Sequence, residues 1–310
     1  RFSADDRVFL DKLQERINGE FGTSVNLELH VKQALEAEKS LLPFYRALLS
    51  RVAPKAVVVV NSAGHIQLIK ACRERGIPLI ELQQGALHRF LFEGPHTGGK
   101  GRKEYVPDYF FAYGDFWKQF VALSPERVLS VGFPYYELES RKFRKMPRKN
   151  NQILFLSQPT TGRLISHFAL ELVRELGDEW RIVYKLHPAE EASWRTRYSQ
   201  LLDSLIIVMT DRDKSLYELL AESTAQVGVN STALYEGLGF GLPTYLVEAP
   251  GVETMDALLE AGSARLVSSV AELREALLKQ ERQKRFESDR FFQQDSLERM
   301  VKFTKEIASL

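Results

Sequence analysis

The chain has 310 residues, 44% hydrophobic and 27% charged, with 42 Lys plus Arg against 41 Asp plus Glu for a formal net charge of +1. That length suits two α/β domains, because a single core rarely grows past about 250–300 residues. Balanced charge removes the usual argument for a nucleic-acid partner, no run reaches the ~18 apolar residues of a membrane span, and no signal peptide is present.

Residues 5–50 read as helices, with apolar Val8, Leu10, Leu13 and Ile17 and then a run to Leu49. The chain opens at Arg1 rather than Met, in charged helix-like sequence, as a piece of a longer polypeptide would. Residues 56–60 are Ala56 and four valines, the mark of a strand buried on both faces. Residues 64–75 follow as a helix. It holds the one cysteine, Cys72, expected as a buried thiol; with no disulfide partner it fits a cytoplasmic location. A second strand spans 78–83, a polar glycine-rich loop 84–103, a third strand 108–113, a helix 116–123 and a fourth strand 128–132. Gly132 in that last strand reads as a point of close approach by backbone or ligand. This β-α-β rhythm predicts a parallel sheet.

Residues 141–151 are basic and polar, with Pro147 and no apolar period, and are the best linker candidate. The rhythm then restarts, with strands at 153–156, 181–186, 205–209, 225–229, 243–247 and 264–267, and an amphipathic helix at 270–284. A last helix over 293–310 carries Leu297, Met300, Val301 and Ile307 on one side. The expected architecture is α/β, two Rossmann-like domains facing a cleft: residues 1–145, residues 146–290, and a C-terminal helix at 291–310.

The strand at 225–229 runs into Asn230-Ser231-Thr232 and a short helix closed by Gly241. Ser231 and Thr232 thus sit at a helix N-terminus, where free N–H groups and the helix dipole favour an anion. The strand at 181–186 ends in Lys185-Leu186-His187-Pro188, and the proline holds the residue before it extended. Ligands of open α/β sheets bind outside the carboxyl ends of strands, so both ends point to one site for a phosphorylated ligand. Ser157, Gln158, Thr160 and Arg163 follow the strand at 153–156 and open a helix, a natural anion cradle. There is no Gly-x-Gly-x-x-Gly fingerprint, which argues against NAD or FAD. Each residue has an ordinary alternative: Ser231 and Thr232 as plain N-caps, His187 as a backbone-satisfied strand end, Arg163 on a capped turn.

Two such domains, a Lys-Leu-His-Pro strand end and an Asn-Ser-Thr-Ala-Leu-Tyr-Glu turn resemble glycosyltransferases of the GT-B shape. The likeness is to bacterial enzymes that use cytidine-nucleotide donors: sialyltransferases, Kdo transferases and teichoic-acid glycerophosphotransferases. Their His-Pro and Ser-Ser/Thr motifs would be His187-Pro188 and Ser231-Thr232 here. The resemblance also implies that Glu236 grips a ribose, the alternative being a surface helix glutamate. The sialyltransferase acidic motif is matched in part by Phe92-Glu93-Gly94, with one acidic residue instead of two. A Gln-His-Gly-like turn reads Gln83-Gln84-Gly85, with His88 behind it. Gln84 and Gly85 would meet the acceptor, and Glu93 or His88 would be the base.

The implied function is an inverting transfer of a keto acid such as Kdo or sialic acid, from a CMP-activated donor to a surface-glycan acceptor. The nucleotide sugar is a substrate, no further cofactor is implied, and the inner face of the membrane would suit such an acceptor. No residue cluster has metal-ligand spacing, so metal-independent transfer is expected. The rival readings are a CDP-glycerol-type glycerophosphotransferase, a sugar-nucleotide epimerase, and a catalytically silent interaction module of the same shape.

Overall fold

The computed structural model describes residues 2–88, 106–279 and 288–309. Helix α1 (Ala4–Phe21) starts at a capping box, in which Ser3 and Asp6 each accept the other's amide. It packs on α2 (Leu27–Val52), which lies against α3 (Ile66–Glu74). Strands β1 (Val57–Val60), β2 (Leu79–Leu82), β3 (Tyr109–Ala112) and β4 (Val128–Ser130) form a parallel sheet in that order.

One face of this sheet is closed by α2 and α3, where Val59 and Leu79 meet Leu42, Leu49, Ile69 and Cys72. The valine run is nevertheless not buried on both sides: Val58 is 48% and Val60 47% exposed. β1 is an edge strand, and a run of valines does not distinguish an edge from a centre. The expected helix at 116–123 is a 3-10 turn over Asp115–Phe120. The expected linker is shorter than residues 141–151, because α4 (Pro134–Phe143) begins with a proline at its first turn and runs into it.

The second sheet is built from β5 (Gln152–Leu156), β6 (Arg181–Lys185), β7 (Ile207–Met209), β8 (Ala225–Gly228), β9 (Thr244–Val247) and β10 (Arg265–Val267). All its pairings are parallel, in the order β10-β9-β8-β5-β6-β7. Between or after these strands lie α5 (Gly162–Leu176), α6 (Trp194–Arg197), α7 (Leu216–Glu222), α8 (Thr232–Gly239), α9 (Asp256–Glu260) and α10 (Val270–Lys279). The amphipathic helix expected to Lys284 is described only as far as Lys279. Strand order reverses between β5 and β8, which places a topological switch point beside Ser157 and Asn230.

After α11 (Ser288–Phe291) the chain returns to the first sheet. Helix α12 (Ser296–Ala308) begins three residues later than its pattern suggests. It buries Ile307 against Ile80, Phe111 and Val131, on the sheet face opposite α3. Its start is anchored on Glu137 of α4, which accepts from the Ser296 amide at 2.8 Å. Burial pushes the Glu137 carboxyl up, but the Ser296 hydroxyl and amide, the Arg141 charge and the Asp295 amide together hold it below its ordinary value. Gly132, at φ 91°, is approached by Gln293 and Ser296 of this returning segment, not by a ligand.

The lobes share a core. Trp117 of the first stacks edge-on to Tyr235 of α8, with ring centroids 4.9 Å apart, and its indole N–H donates to the Phe291 carbonyl at 2.7 Å. No helix among the described residues is long and apolar enough to cross a membrane.

Candidate active site

Two neighbouring cavities meet at the switch point. One, of about 480 Å³, lies mainly on the second lobe and is lined by Ser157, Lys185, His187, Pro188, Ser231 and Glu236 among others, with Phe133 and Tyr135 of the first lobe also lining it. The other, of about 430 Å³, lies between the lobes: Glu81, Gln84, Gly85 and His88 face Gln158, Asn230, Ser231 and Thr232. Ser231 belongs to both.

The α8 turn is built as its sequence suggests. Ser231 is extended and caps the helix, its Oγ accepting the Ala233 amide at 3.2 Å. Thr232 is used differently: its Oγ1 accepts the Ala86 amide of the first lobe at 2.8 Å. The first lobe therefore docks on the turn expected to bind an anion. α5 starts close by with no side chain capping its N-terminus, but its Thr161 and Gly162 amides are taken by the Gln158 carbonyl.

His187 caps a one-turn 3-10 helix at 188–190, its Nδ1 accepting the Ala189 amide at 3.1 Å. A neutral ring in that arrangement carries its proton on Nε2, the nitrogen left for a ligand. The turn is held from beneath by Glu190, which is fully buried. Its Oε2 accepts the His187 amide at 3.0 Å, and its Oε1 accepts from Ser157 Oγ at 3.1 Å and from the Tyr198 hydroxyl. Glu190 thus ties the His187 turn to the loop that opens α5. Gly162 lies against the same three groups, and a Cβ there would collide with Tyr198, Glu190 and Ser157.

Lys185 is buried, with its Nζ 2.8 Å from the Leu186 carbonyl and 2.8 Å from Asp211. Glu236 is 6% exposed and accepts a hydrogen bond from the Tyr217 hydroxyl. Burial pushes its carboxyl up to about 7, with the Tyr217 hydrogen bond opposing the rise. It is not the surface glutamate of its ordinary reading. His88 is shifted the other way: burial lowers its pKa, and Glu253 nearby opposes that.

Of the expected site residues, Ser157, Lys185, His187, Pro188, Ser231 and Glu236 gather at the second-lobe cavity. Gln84, Gly85, His88, Gln158, Asn230, Ser231 and Thr232 gather at the inter-lobe one. Thr160 and Arg163 are exposed and line neither. Glu93 lies outside the described residues. Sequence reasoning missed Glu190, although His-Pro-Ala-Glu has the spacing of a capping box. It also missed Glu81, whose signal was a lone acid inside an apolar strand, and Tyr217.

No protein-family model and no curated protein matches the chain. Solved structures do. The UDP-GlcNAc 2-epimerase of Neisseria meningitidis bound to UDP-GlcNAc aligns with a TM-score of 0.62 at 13% identity, over 88% of this chain and 82% of that one. The Methanocaldococcus jannaschii UDP-GlcNAc 2-epimerase, in complex with UDP-GlcNAc and UDP, aligns with a TM-score of 0.59 at 15% identity, over 87% and 81%. MurG of Acinetobacter baumannii aligns with a TM-score of 0.51 at 11% identity, over 77% and 68%. At such identities the likeness concerns fold. With two parallel sheets, a switch point on the second and this extent of superposition, the chain has the GT-B fold of two Rossmann-like domains facing a cleft.

Proposed function

We propose that the protein is a nucleotide-sugar-dependent glycosyltransferase, inverting and metal-independent. Its donor is a CMP-activated keto acid such as Kdo or sialic acid, and its acceptor a surface glycan. The observation that carries this reading is the sharing of Ser231. One turn is the common wall of a cavity with Lys185, His187 and Glu236 and of a cavity with Gln84, Gly85 and His88. In this reading the donor phosphate lies on the α8 N-terminus beside His187, and Glu236 accepts from the ribose. The sugar projects into the inter-lobe cavity, where an acceptor hydroxyl attacks the anomeric carbon in line. His187 Nε2–H and the α8 amides stabilise charge on the departing phosphate. Calorimetry with CMP and UDP tests the donor: CMP is expected to bind more tightly. Equal or tighter UDP binding defeats the cytidine assignment.

Epimerisation of a UDP-sugar is the second reading, favoured by the likeness to two UDP-GlcNAc epimerases. Incubation of UDP-GlcNAc in D₂O separates the two. Appearance of a C2-deuterated epimer displaces the transferase reading.

A further inference from the structure

We propose that Glu81 is the general base of the transfer, taking the proton from the attacking hydroxyl in the inter-lobe cavity. The inference rests on the transferase reading and supplies its acceptor side with a residue.

Glu81 sits on β2, paired in register with Val59 of β1 and Phe110 of β3. Its strand neighbours Leu79 and Ile80 enter apolar clusters on opposite faces of the sheet. A glutamate in so short a buried strand has no packing role that an apolar residue would not fill better. It is 4% exposed, and its Oε2 has no hydrogen-bond partner among the described residues. Buried carboxylates are ordinarily paired or hydrogen-bonded; the Ser62 hydroxyl and amide lie beside this one, yet its Oε2 is left over, and that calls for a cause.

The cavity supplies one. Glu81 lines its first-lobe wall, and Asn230, whose buried Oδ1 is likewise without a donor, lines its second-lobe wall. Each of these two lining residues holds a buried acceptor oxygen with no donor, and a ligand rich in hydroxyl groups, such as a sugar, is the kind that brings donors to this cavity. Gln84, Gln158 and Thr232 complete a polar lining suited to it.

The electrostatics agree. Burial raises the Glu81 carboxyl above its ordinary value, opposed by the Ser62 hydroxyl and amide beside it. No charged side chain adds to either influence among the described residues. The strand partners Val59 and Phe110 are uncharged, and the only other titratable side chain lining the cavity among the described residues is His88. A carboxylate whose pKa is raised is a stronger base, once ionised, than an ordinary one. In the step itself, the hydroxyl proton passes to the Glu81 carboxylate and the hydroxyl oxygen bonds to the anomeric carbon. The bond from that carbon to the phosphate oxygen breaks, its electron pair leaving with CMP.

The test uses water as acceptor and CMP-N-acetylneuraminate as donor, with CMP release followed against pH and CMP affinity measured by calorimetry. Glu81→Gln is expected to slow CMP release by roughly 10²–10⁴-fold, the scale of losing a general base. CMP affinity should be unchanged. The rise of the wild-type rate with pH should vanish in Glu81→Gln. Its melting temperature at neutral pH should not fall, because Gln keeps the shape and removes a group whose ionised form burial disfavours. Glu81→Asp, which keeps a shorter base, should be slowed less and retain the rise. A Glu81→Gln protein that releases CMP at the wild-type rate, or a Glu81→Asp protein with an unaltered rate and pH profile, overturns the proposal. So does loss of the rise in His88→Ala instead. A wild-type protein that neither binds CMP nor hydrolyses the donor sinks the transferase reading itself, and Glu81 with it.

Discussion

The Ala86 amide donates to Thr232 Oγ1 across the cleft, at 2.8 Å. This bond fixes the Gln84–His88 segment of one lobe on the helix N-terminus of the other. The turn that would hold a donor phosphate thereby also positions the residues that would meet an acceptor. Gly85, the residue before Ala86, comes so close that an added Cβ would stand 3.1 Å from Thr232 Oγ1.

Thr232→Val keeps the branched shape and removes the acceptor. A lost amide bond of this kind costs roughly 1 kcal/mol. The urea midpoint is expected to fall with the m-value unchanged. An unaltered midpoint would mean that the lobes do not depend on this bond.

His187→Ala tests the leaving-group role. His187 is exposed, so little of the core goes with it. The melting temperature should hold, while turnover drops by roughly 10²-fold or more, as for loss of one preorganised donor. An active variant returns the residue to a structural cap.

Much of this arrangement is legible in the sequence, because strands of a parallel sheet announce themselves as β-branched and aromatic runs. The strand at 225–229 and the turn at 230–232 lie in the structure within a residue of where the pattern puts them. What the pattern cannot carry is long-range partnership. The exposed face of Val58 and Val60 depends on what lies beside β1 in space. α12 is readable as an amphipathic helix, but its destination on the first sheet is set by Ile80, Phe111 and Val131, well over a hundred residues away in sequence. Glu236 reads equally as a ribose contact and as a surface helix glutamate until its burial and the Tyr217 hydroxyl are known. Glu81 and Glu190 act through burial, and burial of a charged residue is what composition argues against.

Glu190 is expected to matter for stability as well as function. Removing its carboxylate in Glu190→Ala takes the acceptor from the half-buried His187 amide, from Ser157 Oγ, which keeps the Tyr184 hydroxyl as a partner, and from the Tyr198 hydroxyl. Each orphaned buried donor costs about 1–3 kcal/mol. Chemical denaturation should therefore show a loss of roughly 2–3 kcal/mol. Glu190→Gln keeps one oxygen and should lose less. A neutral outcome in the alanine variant would show that the network is dispensable.

Cys72 should be inert in the native protein. It is buried, and burial first, with the Asp108 charge second, pushes its thiol up to about 11. The reactive thiolate is therefore scarce at neutral pH. Treatment with a disulfide reagent is expected to label it only after unfolding, and rapid labelling of the folded chain would contradict its placement.

Glu236 gives the pH dependence. Its carboxyl is pushed up by burial to about 7 from an ordinary 4.5, and the Tyr217 hydroxyl restrains the rise. Only the ionised group accepts both hydroxyls of a ribose, so CMP affinity should increase as pH rises through about 7. Tyr217→Phe removes the donor that favours ionisation and should move this increase to higher pH. Glu236→Gln should abolish it. Stability runs the other way. The folded state keeps its proton to about 7 while the unfolded chain releases it near 4.5. Stability is thus fully present below the unfolded value and declines as pH rises through that window, by on the order of 3 kcal/mol. Glu236→Gln should flatten that decline, so that its advantage over the wild type grows between pH 5 and 7, roughly the window of the shift. Calorimetric titration with CMP and thermal melts across the same pH series read both effects. A wild-type affinity that is flat with pH would remove Glu236 from the nucleotide site while leaving its burial intact.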